Sequence, residues 1–215
     1  MKNVAFFLSL LFVSALLAGF AVGHAEAQLL LNEILADPAS DWDGDAAVGS
    51  RTDEWVEVMN AGASSIDLSP YRLGDLSGGY SWRYGFGGTL APGAVVIVYG
   101  STSLAWQSAN GFPSMGLSLN NAGDTVLLYK IEGTDTLVAD TYGYLAHEGL
   151  DDRSTGRMQS DVSEWRVFDG LNTYTGTKPP LGTGCSPSPG AVNACEPRIP
   201  VEGSTWGAIK ELFAE

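Results

Sequence analysis

Seven acids crowd between Asp37 and Glu57 in this 215-residue chain: Asp37, Asp41, Asp43, Asp45, Asp53, Glu54 and Glu57, with Arg51 the one base among them. Within that stretch, Asp41-Trp42-Asp43-Gly44-Asp45 alternates carboxylates around a glycine that permits a sharp turn. Calcium takes about six to eight oxygens at flexible distances, and aspartates at alternate loop positions supply such oxygens. Asp41, Asp43, Asp45 and Asp53 are therefore the candidate ligands of a calcium ion. The loop is not an EF-hand, because the places of that motif's glycine and bidentate glutamate, counted from Asp41, are held by Ala46 and Thr52. Two other readings stand beside calcium. One is a solvated acidic loop whose aspartates bond their own backbone in Asx-turns. The other is a small metal-dependent hydrolase with 37–57 as its metal site, which requires an open coordination position beside a cleft.

Other chemistries find less support. His147, in Ala-His-Glu-Gly near Asp151 and Asp152, would need an activated serine to build a triad, and no Gly-x-Ser-x-Gly elbow occurs. No catalytic residue is assigned. With two histidines and two cysteines in all, multi-histidine zinc sites, zinc fingers and iron–sulfur clusters are excluded. Cys185 and Cys195 flank a short loop without a basic neighbour, and they are read as a disulfide rather than as a reactive thiol. A formal net charge of −14 opposes nucleic-acid binding and adsorption to anionic membranes, both of which depend on Lys and Arg.

The elements that must position these residues read as short strands. The 27 glycines fall singly and in pairs between short apolar runs. Stretches 29–35, 55–60, 71–76, 80–86, 94–99, 125–130, 137–142 and 165–168 are β-branched or aromatic and bounded by turn residues. Trp55-Val56-Glu57-Val58-Met59 has too few polar positions for a one-sided strand and is placed centrally in a sheet. Tyr80, Trp82, Tyr84 and Phe86 alternate, so a regular strand buries all four on one face and turns Ser81 and Arg83 to water. Ahead of the last dozen residues, no long segment repeats an apolar face at helical spacing. The pattern is that of an all-β sandwich over 28–175.

The two ends differ. Residues 1–27 carry Lys2, a long apolar run and Ala25-Glu26-Ala27, the pattern of a cleaved export signal, and predict a secreted, cell-surface or periplasmic protein with no further membrane span. Six of the ten prolines lie in 176–200, which is read as a disulfide-stapled loop followed by an extended linker. In 201–215, Ser204 or Thr205 caps a short helix with Trp206, Ile209 and Phe213 on one side, suited to packing or to attachment and sorting.

Several of these pieces together resemble a known family. Leu31-Asn32-Glu33-Ile34-Leu35-Ala36-Asp37-Pro38, then Asp53-Glu54-Trp55-Val56-Glu57-Val58-Met59-Asn60, resemble the opening of bacterial lamin-tail domains. Ile66-Asp67-Leu68-Ser69 with Tyr71-Arg72-Leu73-Gly74-Asp75, Thr89-Leu90-Ala91-Pro92-Gly93 and Leu119-Asn120-Asn121-Ala122-Gly123-Asp124-Thr125-Val126-Leu127-Leu128 follow in the family's order. Ser188-Pro189-Gly190-Ala191-Val192-Asn193 is similar to its usual ending, so the likeness runs over 29–193. Ser204-Thr205-Trp206-Gly207-Ala208-Ile209-Lys210 resembles a short C-terminal motif of exported bacterial proteins. The resemblance implies an immunoglobulin-like β-sandwich and a non-enzymatic module that contacts a protein or cell-surface partner.

Overall fold

The computed structural model describes residues 28–75 and 81–195, Asp75 by its backbone alone. The export signal read in 1–27, Tyr80, the end of the Pro-rich segment at 196–200 and the helix read in 201–215 lie outside the described residues. In chain order the elements are β1 (Leu29–Leu35), β2 (Trp55–Asn60), β3 (Ile66–Asp67), β4 (Tyr71–Asp75), β5 (Ser81–Gly85), β6 (Thr89–Leu90), β7 (Val95–Tyr99), α1 (Gly100–Ala109), β8 (Gly123–Glu132), β9 (Asp135–Leu145), β10 (Ser154–Met158) and β11 (Asp161–Phe168). A five-stranded sheet, β11-β10-β1-β2-β7, faces a four-stranded sheet, β5-β4-β8-β9, and β3 pairs with β6. The strand pairs are antiparallel, and the architecture is an immunoglobulin-like β-sandwich.

The core forms where the apolar faces of the two sheets meet. Leu29, Leu31, Ile34, Val56, Val58 and Val98 come from the larger sheet, and Leu73, Val126, Leu128 and Tyr144 from the smaller. In β1 the register slips between Leu31 and Glu33, so Asn32 is an extra residue against β2. The inward step becomes three residues, from Leu31 to Ile34, and both Asn32 and Glu33 are left off the core face.

Beyond that slip, β1 loses its neighbour on one side. Its pairing with β10 runs only over Glu33, Ile34 and Leu35. Two side chains take over. The Leu31 N–H donates to Asp140 Oδ2 at 2.9 Å, and Arg157 Nε donates to the Leu31 carbonyl at 2.8 Å. Asp140 belongs to β9 in the opposite sheet, and its carboxylate pairs with Arg157 Nη2 at 2.9 Å. The Arg157 guanidinium also lies over the Trp165 ring, which stacks on Tyr142. An ion pair thus replaces a strand for one residue and ties the two sheets together at that edge.

A second slip corrects the aromatic stripe. Leu73 pairs with Tyr84 and Gly74 with Trp82, so Arg83 is an extra residue in the β5 register and alternation breaks there. Tyr84 and Phe86 join the core, whereas Trp82 packs edge-on against Tyr129 over Gly74. Arg83, expected in water, is 5 % exposed, and its carbonyl accepts from Ser103 Oγ and Gln107 Nε2 of α1. That helix also departs from expectation. Its buried residues are Gly100, Ser103 and Gln107, a face at helical spacing with no large apolar side chain. Gly100 is required there, since a Cβ would lie 1.9 Å from the Arg51 carbonyl oxygen.

Candidate functional site

The acidic loop occupies residues 36–54, between β1 and β2, and Asp53 is its centre rather than its rim. Asp53 Oδ1 accepts from the Trp42 and Asp43 amides at 2.7 and 3.1 Å. Its Oδ2 accepts from the Gly49 amide at 2.7 Å and from Thr52 Oγ1 at 3.1 Å. Burial alone would raise the Asp53 pKa, but these bonds, with Gly49, Asp43 and Trp42 foremost, hold the carboxyl below its ordinary range. Four donors occupy its oxygens, so Asp53 shapes the loop and is not grouped with the other three candidates.

Asp41, Asp43 and Asp45 do converge. One carboxylate oxygen from each lies within 4.8 Å of the others. Asp41 also folds the turn, accepting from Gly44 and Asp45 amides on Oδ1 and from Ala46 on Oδ2. Asp43 Oδ1 accepts from the Asp45 amide and Asp45 Oδ1 from Ala47, which leaves the second oxygens of Asp43 and Asp45 outside these bonds. Gly44 and Ala46 both take positive φ, at 79° and 69°, which coils the chain tightly enough to bring the three carboxylates together. The Asx-turns expected of a plain acidic loop are present, and so is the convergence a cation needs.

The loop is bolted down at its start. Asp152 Oδ1 accepts from the Ala39 and Ser40 amides and from Trp42 Nε1, the last at 2.8 Å. The Trp42 ring meets Trp55 edge-on at 6.1 Å, and Trp55 is fully buried at the head of β2. The Asp37 carboxyl is raised above its ordinary range, by burial first and then by the neighbouring Asp151. An open cleft of about 560 Å³ lined by Arg83, Met115, Ser118, Asn120 and Asp124 lies elsewhere, and none of the three convergent aspartates lines it.

His147 serves structure: its Nε2 is 3.2 Å from the Pro180 carbonyl oxygen, and its ring packs on Tyr174. Cys185 and Cys195 form the expected disulfide, with an S–S distance of 1.98 Å. The segment they staple packs against the outer face of the larger sheet. Val167 bridges to Gly182, Asp169 accepts from the Tyr174 and Gly184 amides, and Cys195 is buried with Met158 and Phe168.

Beneath that segment lies a feature that the sequence reading missed. Glu33 and Glu57 stand opposite each other in the β1–β2 register and are both fully buried. Burial is the main cause that raises each to about 7, and for Glu33 the charge of Glu57 adds to it. Glu54, nearly as buried, is also raised to about 7 by desolvation. A signal was available, since a glutamate inside a strand too apolar to be one-sided has to be buried with it.

A family profile described as Lamin Tail Domain matches residues 23–146, more than half of the chain. The chain belongs to the lamin tail domain family. A search of curated proteins and a search of solved structures each return no match. The family match accounts for the sandwich through β9, while β10, β11 and the stapled segment follow it in sequence. Those two strands nonetheless complete the five-stranded sheet, so the domain extends in space beyond the matched residues. A lamin tail domain is an immunoglobulin-like module of the binding type, and no helix among the described residues is long and apolar enough to cross a membrane.

Proposed function

We propose that this lamin tail domain is an exported, non-enzymatic binding module that contacts a protein or cell-surface partner and whose acidic loop is ordered by calcium. The observation that carries the calcium reading is the convergence of Asp41, Asp43 and Asp45, with two carboxylate oxygens left outside the loop's own bonds. Three carboxylates with water completing the shell suit an exposed site of modest affinity for a hard cation. A module reading is favoured over a metal-dependent hydrolase because the cluster is exposed at a loop tip and does not line the larger cleft. The export reading is supported by the charged start, apolar run and small-residue site of 1–27, and by the disulfide.

The test compares the protein with its Asp43→Asn, Asp45→Asn double variant in calcium and in chelator. At calcium tenfold above Kd, linkage adds about 1.4 kcal/mol, a rise in Tm of roughly 3–6 °C for a chain of this size. The rise is expected in the parent and absent from the variant. Superimposable melting curves for the parent with and without millimolar calcium would remove calcium from the proposal. Cell fractionation with and without residues 201–215 tests the partner reading, with retention expected to depend on that segment.

A further inference from the structure

Apart from the backbone that leads to it from β11, the stapled segment is fastened to the sheet without a covalent cross-link. Both cysteines lie within it, at positions 185 and 195, so the disulfide gives the loop its shape and leaves the sheet untied. Its grip comes from the packing of the disulfide on Met158 and Phe168, from the Gly170 amide donating to the Cys185 carbonyl, and from a set of polar contacts to β1, β2 and β10. Ser188 donates to Glu33 through its amide at 3.2 Å and through Oγ at 2.8 Å, and the Gly190 amide donates to Glu57 Oε2 at 2.6 Å. Asn193 Nδ2 donates to the carbonyls of Asn32 and Arg157. Residues 182–195 carry no charged side chain.

The partners of the two glutamates differ in kind. Glu57 is met by Asn32 Nδ2 and by a backbone N–H, groups that only donate. Glu33 is met by the hydroxyls of Ser154 and Ser188, which can donate or accept as their protons rotate, besides the Ser188 amide. Glu57 is therefore suited to hold a charge and Glu33 to hold a proton. Among the described residues, no cation is brought to the pair. On β10, Gly156 stands opposite Glu33, and Arg157 is engaged by Asp140 and the Leu31 carbonyl. On β11, Arg166 pairs with Glu164; on β7, Ile97 stands opposite Glu57, and Tyr99 at its end feels the Glu57 charge.

We propose that segment 185–195 is a preformed clasp latched by one proton on Glu33, and that it loosens from the outer face of β1 and β2 as that proton leaves with rising pH. Loss of the proton sets two carboxylates face to face in a buried site, and lifting the clasp returns both to water. The sign follows from the raised folded-state value. Closure is fully favoured below the ordinary glutamate range near 4.5, and that advantage is lost as pH climbs to about 7. The disulfide keeps the lifted loop in its docking shape, so the change reverses without refolding the segment. This inference is independent of the calcium reading, since it invokes neither the acidic loop nor a metal.

The test is amide hydrogen exchange by NMR on the full chain with its disulfide intact, corrected at each pH for intrinsic exchange. Between about pH 5.5 and about pH 8.5, protection of the Ser188 and Gly190 amides is expected to fall about thirtyfold relative to the β2–β7 ladder. Glu33→Gln carries a fixed donor where the proton sat and ends the facing of two carboxylates, so the fall in clasp protection is expected to be clearly smaller than in the parent. A clasp-to-ladder ratio that stays constant over this range in the parent protein overturns the proposal, with no substitution involved. A Glu33→Gln protein that loosens with pH like its parent would move the proton away from Glu33 and equally refute it.

Discussion

Replacing Asp140 by alanine tests the claim that an ion pair substitutes for a strand beside Leu31. The substitution removes the acceptor of the buried Leu31 N–H and the carboxylate paired with Arg157, whose partners are 11 % and 13 % exposed. An orphaned buried N–H costs about 1–3 kcal/mol, and a mostly buried charge that loses its partner adds a similar amount, so a loss of about 4 kcal/mol is expected. Arg157 keeps its bonds to the Leu31 and Val162 carbonyls and its place over Trp165, which prevents a larger loss. Urea unfolding at neutral pH, followed by tryptophan fluorescence, measures the difference directly. Asp140→Asn retains one acceptor without the charge and should fall about halfway. A loss below about 1 kcal/mol for Asp140→Ala is what an exposed ion pair would give, and it would refute the substitute-strand argument.

Two further outcomes can be checked with similar means. Gln107 is fully buried and its amide binds five groups: the Arg83 and Gly116 carbonyls, Ser103 Oγ, and the Met115 and Gly116 amides. Gln107→Ala is expected to cost about 3 kcal/mol in urea unfolding, because several of those groups lose their partner at once. Burial acts to raise Asp152, but its bonds to Ser40, Ala39 and Trp42 prevail and hold it below the ordinary aspartate range. Its contribution is therefore present above about pH 4 and lost as pH falls through its lowered value, so Trp42 emission should change on acidification below about pH 4. Asp152→Asn should show the acid-form emission already at neutral pH.

How far the sequence could be read depended on whether packing was done by large apolar side chains. The ranges 29–35 and 55–60 match β1 and β2 end to end, because their apolar runs stop at turn residues. β4 agrees over its described residues, β5 and β7 differ by a residue at an edge, and β11 begins at Asp161, four residues ahead of the stretch read at 165–168. β8 and β9 run several residues further than their apolar centres, since a two-stranded ladder continues through polar Thr, Asp and Gly. β10 escaped, as Ser154-Thr155-Gly156-Arg157-Met158 shows no alternation and is held as a strand by its neighbours β1 and β11. Helix α1 was invisible for the same reason, its buried face being Gly100, Ser103 and Gln107. At the acidic loop, composition pointed to Asp41, Asp43 and Asp45, which the fold brings together. Spacing could not show that Asp53 would be surrounded by four donors of its own loop, because that depends on how the chain coils back. The Arg83 placement failed because one extra residue in a strand reverses which face its successors occupy.

The disulfide has a mechanical consequence. Cys185 and Cys195 are only ten positions apart, and the chain continues beyond Cys195 toward residue 215. A pull applied from that end reaches the sheet through Cys195 and passes across the cross-link to Cys185. Residues 186–194 are thereby removed from the line of force, and the load next meets the bond that the Gly170 amide donates to the Cys185 carbonyl at 2.7 Å, just past the end of β11. The polar contacts of the clasp would shear before the sheet is strained, and the cross-linked ring would stay whole. This arrangement places a short breaking point between the chain beyond Cys195 and the sandwich.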